Sequence, residues 1–541
     1  MAKLQAVQEA SNDGASSDSG NDVLEKIEGR RSNEVVIAFC GAVGSNISVV
    51  IDNVKSQFED YGYVIEHIKI SQIIKEYFRD QPLPKKHQAV DLDSLQGKDR
   101  YLVLQDLGNH LRRKHDTKVL AALSMSKIAA KRISLTVDGT VKAPKTLYII
   151  DQLKHHHEVE LFRIVYEDLF YLVGVFSPEE TRLSQLTKIE QIPKAEAQYL
   201  IERDKNEPSS AYGQKLEKTI QLSDYFISNS QKNESSLVDP AQRFVGLVHG
   251  KNGITPSADE AGMYAAYSAS LKSACLSRQV GAAISNKHGN IISVGWNDVP
   301  KFGGGLYTSD SDNDQRCFHH RGFCYNDFHK ERLIKSIVDI VGIELAVAPE
   351  AKAKIAALIQ EETRAGSIIE YSRAIHAEME AILGLARAGG GVADSCTLYT
   401  TTFPCHNCAR HIIAAGIERV VYIEPYEKSL ALDLHDDAIT LDSEKKGMTI
   451  FENFCGVSPL KYSSFFMAQG KRKDKSGKAV KIIKSEAKHI GVKYIDPYQN
   501  IETKVVAEAL GKIQGRAATD DPFPPEPPTS QTTETDDPEI A

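Results

Sequence analysis

IHAEMEAILGLAR at 375–387 and TLYTTTFPCHNCARHIIAAG at 397–416 hold the residues from which the rest of this chain is read. In the first stretch apolar residues recur at helical spacing from Ile375 to Leu385, with His376-Ala377-Glu378 at its start. In the second, a β-type run from Thr397 to Thr401 leads into Pro404-Cys405-His406-Asn407-Cys408, and a helix is expected from Cys408 to Ala415. Pro404 suits a first helical turn, where a missing N–H costs nothing. Cys405 and Cys408 are three apart, so a helix start presents both sulfurs on one side and favours their thiolates. With His376 they offer one imidazole and two thiolates. Three protein ligands leave the fourth position of a tetrahedral zinc ion (Zn2+) open for water, the catalytic rather than the closed structural arrangement. Glu378 is then not a ligand and is free to move protons beside the metal. Alone, a Cys-x-x-Cys also reads as a redox pair or as half of a structural zinc site, and a His-x-Glu carries almost nothing. Both together, in this order and each at a helix start, point to catalytic zinc.

Bulk properties bound the rest. With 541 residues, 41% hydrophobic and 26% charged, the composition is that of a soluble globular protein of two or three domains. No apolar run approaches the roughly 20 residues that cross a bilayer, and MAKLQAVQEASNDGASSDSGND at the start lacks the apolar core of a signal peptide. A formal charge of -8 argues against broad electrostatic binding to nucleic acid. Eight cysteines in so long a chain make no disulfide scaffold, so a reducing cytoplasm and no membrane partner are expected.

Composition also divides the chain. Residues 1–33 and 516–541 read as disordered tails, the first rich in Ser, Asn, Asp and Gly, the second in Pro, Thr and acids. Residues 34–230 read as a first α/β unit, with strands at EVVIAF (34–39), TLYII (146–150) and FYLVGVF (170–176) and a helix over 47–61. The polar stretch SNSQKNESS (228–236) marks a linker over 231–254. Residues 255–515 form a second unit: a helix over 259–273, a hairpin across His288-Gly289-Asn290, then the two motif-bearing helices and their strands. The order predicts a three-layer α/β/α domain. An insertion occupies about 303–370, opening on Gly303-Gly304-Gly305.

His376, Glu378, Cys405 and Cys408 match the zinc-dependent nucleobase deaminases. The flanks narrow the match. SRQVGAAISNKHGNIISVGWNDVP (277–300), EPYEKSLALDLHDDAI (424–439) and FCGVSP (454–459) resemble the deoxycytidylate deaminase family over roughly residues 255–470. The resemblance implies a cytidine-deaminase-like fold and a deoxycytidine nucleotide substrate attacked at C4 of its cytosine. It also implies that Asn297 hydrogen-bonds the deoxyribose, that Arg278 lies near the phosphate and that Tyr426 lines the pocket. Asn297 also reads as a residue holding a turn, and Arg278 as a surface charge. Some members of the family hold a second zinc nearby, for which Cys317, His319, His320 and Cys324 of the insertion are candidates; a loop with incidental histidines is the alternative. Homo-oligomers, hexamers among them, are common in the family.

In the first unit, Gly41-Ala42-Val43-Gly44-Ser45-Asn46 stands between a strand and a helix, the context of a phosphate-cradling loop. Together with Asp151, FSPEETRL (176–183) and SDYFISNS (223–230), it resembles the P-loop nucleotide and nucleoside kinases. The loop lacks the Gly-Lys-Ser/Thr ending, so active phosphoryl transfer is not expected. A regulatory nucleotide at Gly41, Gly44, Ser45 and Asn46 or a purely structural unit remains. His155-His156-His157 reads as a solvated helix start, since adjacent residues do not share a helix face. A degenerate P-loop kinase-like unit fused to a deoxycytidylate deaminase unit resembles the bacterial anti-phage cytidine deaminases. These deaminate dCTP and dCMP and lower the deoxycytidine nucleotide pool. That resemblance implies restraint through the first unit, and it adds an inhibitory small RNA as a candidate partner. Two other functions compete: a deaminase of RNA or single-stranded DNA, and a nucleotide-sensing binding module.

Overall fold

The computed structural model describes residues 32–134, 144–205, 212–230, 234–345, 347–390, 395–426, 428–468, 471–491 and 495–516. The tails read at 1–33 and 516–541 lie outside the described residues, except for residues 32, 33 and 516. The described residues are mixed α/β and form two six-stranded sheets.

The first sheet contains β1 (Glu34–Gly41), β2 (Val64–Lys69), β3 (Thr146–Asp151), β4 (Phe170–Phe176) and β5 (Tyr225–Ser228). These are all parallel, in the order β5-β4-β1-β3-β2. Every residue of β1 is buried, which explains the unbroken apolar run: a central parallel strand is covered on both faces. Helix α1 (Ile47–Asp60) buries Ile47, Val50, Ile51, Val54 and Phe58, the single stripe that helical spacing requires. Helix α2 (Val119–Ser134) belongs to the opposite face, and α3 (Lys194–Lys205) reaches the turn after β1. Inside the span read as a linker, α4 (Val238–Val248) buries Ala241, Phe244, Val245, Leu247 and Val248 against the α1 face of the sheet.

The second sheet runs β10-β11-β9-β8-β6-β7. It is built from helix α5 (Ala258–Ser270), β6 (Gly281–Ser285) and β7 (Ile291–Trp296), then the insertion helices α6 (Tyr325–Glu344) and α7 (Pro349–Glu362), then α8 (Ala377–Arg387), β8 (Thr397–Thr402), α9 (His406–Ala414), β9 (Arg419–Glu424), β10 (Ile439–Thr440) and β11 (Thr449–Asn453). The hairpin β6–β7 and the pair β6–β8 are antiparallel; β8, β9, β11 and β10 are parallel. Alternation along β6 sorts the layers: Ala282 and Ile284 pack with α8 and α9, whereas Ala283 packs with Met263 and Ala266 of α5.

Two glycines set how closely these helices approach. A Cβ on Gly281 would stand 1.9 Å from the Ala266 carbonyl oxygen of α5, and one on Gly295 would stand 2.3 Å from the Ala377 carbonyl oxygen of α8. Both neighbours are backbone, which cannot rotate away. Asp259, at the start of α5, joins the layers by accepting from Arg419 at 2.7 and 2.8 Å and from the Tyr399 hydroxyl at 2.9 Å.

The chain then returns to the first unit. β12 (Gly456–Val457) pairs antiparallel with β5 and covers its open edge, and Phe454 meets Phe226 of β5 edge to face. Helix α10 (Ile495–Arg516) lies against α2, where Glu502 pairs with Arg132, itself paired with Glu34 of β1.

Gly295→Ala is expected to cost about 1–3 kcal/mol, the usual range for forcing an extra carbon into a packed site, read as a lowered Tm in thermal unfolding. Burial raises the Asp259 carboxyl, but the Arg419 hydrogen bonds and charge outweigh it and hold it below 3.8. A depressed carboxylate stabilises fully above its ordinary value, and the contribution is lost as pH falls through the lowered one. The Tm gap between wild type and Asp259→Asn is therefore expected to be full at neutral pH and to shrink below pH 3.8.

Candidate active site

Two helix starts meet at the ends of β7 and β8. His376 is the N-cap residue of α8 and Glu378 lies in its first turn; Cys405 caps α9 and Cys408 lies in its first turn. Pro404 thus precedes the cap instead of sitting in the first turn, because the helix begins at His406. His376 Nδ1 is 3.2 Å from Cys408 Sγ and 3.3 Å from Cys405 Sγ. These three atoms lie within 4.8 Å of one another. Glu378, 4% exposed, accepts from the Cys408 thiol at 3.3 Å.

The electrostatics follow from this packing. Hydrogen bonding from the Cys408 thiol, then from His376, pulls Cys405 down to about 4 despite burial. Burial pushes Cys408 well up. Burial, reinforced by the Cys405 charge, raises Glu378. Burial alone would lower His376, but its hydrogen bond to Cys405 raises it instead.

A cavity of about 160 Å³ opens above these groups, and Arg278, Asn297 and Tyr426 all line it. The Asn297 amide bonds the backbone: its Oδ1 accepts from Val280 N–H at 2.7 Å, and its Nδ2 donates to the Arg278 carbonyl at 2.8 Å. It holds the turn that shapes this wall. Arg278, with a side chain 45% exposed, pairs with Glu424. Three further wall residues come from the insertion or its end, Asn326, Ile369 and Ser372. Sequence reasoning missed them because that segment carries no family motif. Asn326 donates to the Ile368 carbonyl at 2.9 Å, while its Oδ1 is buried without a partner among the described residues.

The second-metal candidates do not converge. His319 turns to Asp314 at 3.4 Å, His320 to Gln315 at 2.7 Å and Cys324 to Ser277 at 3.5 Å. Among the described residues the clusters able to hold a metal are His376-Cys405-Cys408 and His155-His156-His157. His155 is fully buried rather than solvated, and it caps its helix by accepting from His157 N–H at 3.2 Å. Gly41 ends β1, and Gly44, Ser45 and Asn46 lie in the loop that leads to α1; Gly44 (φ +81°) would bring any Cβ to 2.8 Å from the Arg182 carbonyl oxygen.

The model of the cytidine and deoxycytidylate deaminase zinc-binding region matches residues 256–424. The deoxycytidylate deaminase of Enterobacteria phage T4 is 34% identical over 164 residues, which are 30% of this chain and 76% of the phage protein. That of phage T2 is also 34% identical over 164 residues, 30% of this chain and 78% of its own. The dCMP deaminase from the cyanophage S-TIM5, solved in complex with dCMP and dUMP, is 20% identical, covers 37% of this chain and 100% of its own, and superposes with a TM-score of 0.22, too low to bear on the site.

The residues fit a zinc ion: two free thiols and an imidazole nitrogen converge at hydrogen-bond range. Among the described residues no helix is long and apolar enough to cross a membrane. Cys405→Ala is expected to strip the metal from purified protein, while Glu378→Ala keeps it; elemental analysis for zinc checks both.

Proposed function

Since the chain belongs to the deoxycytidylate deaminase family and is a hydrolase that deaminates deoxycytidine nucleotides, we propose that it converts dCMP, dCTP or both to uracil nucleotides and ammonia at the His376, Glu378, Cys405 and Cys408 site. The convergence of the three ligand atoms beside a buried carboxylate carries this reading. His376, Cys405 and Cys408 would hold Zn2+, which when bound supplies a Lewis acid that activates water near neutral pH. Glu378 takes a proton from the attacking water, delivers it to the ring nitrogen beside C4, and helps expel the amine. Its burial beside the three ligand atoms places it to hold that proton between the two transfers.

Substrate is bound by the cavity walls. Asn297, whose amide keeps a second N–H and a second oxygen lone pair, hydrogen-bonds the deoxyribose, Tyr426 lines the pocket, and Arg278 meets the phosphate by exchanging Glu424 for it. The partly exposed Arg278 at the cavity supports this.

The wider setting is anti-phage defence in the cytoplasm, in which the enzyme lowers the deoxycytidine nucleotide pool and is restrained through the P-loop-like first unit, with a regulatory nucleotide or an inhibitory small RNA as effector. The pairing of β12 with β5 supports such coupling, because β12 follows directly from the second sheet. A homo-oligomer, a hexamer in this family's manner, is supported by the apolar exposure of Ile340, Ile343 and Leu358 on the insertion helices.

Product analysis with dCMP, dCTP, CTP and a cytosine-containing single-stranded oligonucleotide tests the reading. The expected products are dUMP, dUTP or both, with ammonia, and the oligonucleotide is expected to stay unchanged and unable to compete. Uracil in the oligonucleotide with no free-nucleotide product would assign the polynucleotide activity instead.

A further inference from the structure

The loop at 41–46 contains no lysine, yet one reaches it from beyond β3. Lys154 brings its Nζ to 2.8 Å from the Gly41 carbonyl oxygen. Its side chain is 11% exposed, and its other partner is the wholly buried Asp204, at 3.1 Å to Oδ1 and 3.3 Å to Oδ2. Asp204 lies in the last turn of α3 and also accepts the Val43 backbone N–H at 2.7 Å. This carboxylate therefore takes one loop N–H and one ammonium, the two kinds of donor that cradle a phosphate. A helix C-terminus is partially negative, so α3 does not itself favour a carboxylate there. Lys154 and Val43 hold it in place.

A second observation points to a ligand from outside. Among the described residues, Ser45 Oγ and Gln105 Oε1 are buried without a hydrogen-bond partner, in residues 1% and 8% exposed. Both residues line the cavity of about 310 Å³ in front of the loop. Buried polar atoms are seldom left unpaired. The same cavity is lined by Lys69, Arg100, Arg112 and Lys154 against Asp151 and Glu190. Arg112 is already paired with Glu158 and Lys154 with Asp204, so positive charge is in excess, as an anion requires, only once Asp204 is displaced.

We propose that this cavity is a nucleoside polyphosphate site in which Lys154 replaces the lysine the loop lacks, and that Asp204 closes it by occupying the phosphate position. The proposal rests on reading the first unit as a nucleotide-binding one and is independent of the deaminase site. A phosphoryl group brings more acceptor oxygens and more charge than a carboxylate. It takes the Val43 N–H and the Lys154 ammonium, Asp204 leaves, and the end of α3 is released from the loop. While Asp204 is seated the open form is a fraction of the population, and apparent affinity is reduced by that fraction.

The full-length protein is titrated calorimetrically with ATP, and separately with inorganic pyrophosphate, as wild type, Asp204→Asn and Asp204→Asn/Lys154→Met. Removing the competing charge is expected to tighten ATP binding on the order of tenfold, and Lys154→Met to reverse that gain. Pyrophosphate is expected to bind more weakly with the same fold-gain; a gain confined to ATP would overturn the phosphate position. Amide hydrogen exchange over 194–205 in the wild type, which needs no variant to fold, is expected to quicken when ATP binds. Equal ATP affinity in wild type and Asp204→Asn, with exchange unchanged, would overturn the closure by Asp204 alone. No binding to any form would overturn the nucleotide-binding reading beneath it.

Discussion

The backbone of β7 at Gly295 lies so near the Ala377 carbonyl of α8 that no side chain fits between them. The catalytic geometry depends on this approach. It sets the height of α8 over the sheet, and therefore where His376, its cap, and Glu378, in its first turn, stand. On the parallel side, β8 delivers Cys405 to the start of α9. Gly281 does the same for α5 on the opposite face, where Asp259 then ties β8 and β9 through Tyr399 and Arg419. A site drawn from two helix starts works only if both helices are fixed against one rigid sheet to within a fraction of an ångström.

The two units are not beads on a string. Phe454 and β12 carry the second sheet directly onto β5, and Asn229, just past β5, donates to the carbonyls of Ser45 at 2.9 Å and Asn46 at 3.3 Å. A connected path therefore runs from the glycine-bearing loop through the Asn229 side chain and the β5–β12 pairing to the chain that leaves β11. The C-terminal helix closes the far side through Glu502, Arg132 and Glu34, a buried charge group whose parts come from three distant segments.

Much of this was legible in sequence because the informative contacts are local. The i, i+3 spacing of Cys405 and Cys408, the unbroken apolar run of β1 and the hairpin turn before Ile291 each declare themselves within a few residues. What was not legible depends on partners far along the chain. Nothing near Asn297 says that its amide bonds the backbone of Val280 and Arg278, or near Arg278 that Glu424 awaits it. The helix at 238–248 was read as linker because the polar run before it masked the stripe Ala241, Phe244, Val245 and Val248. Four ligand-type residues at 317–324 suggested a metal, but consecutive histidines on a one-turn helix diverge toward Asp314 and Gln315. The Asp204 contact with the loop spans 161 positions and has no local signature at all.

The central claim is that Glu378 moves the protons at a centre held by His376, Cys405 and Cys408. Ammonia release from dCMP by Glu378→Gln protein, with its zinc content measured in the same sample, tests it most directly. The account predicts full zinc and a rate lowered on the order of 10²- to 10⁴-fold, the usual worth of a positioned general acid–base. A near wild-type rate at full zinc would contradict it.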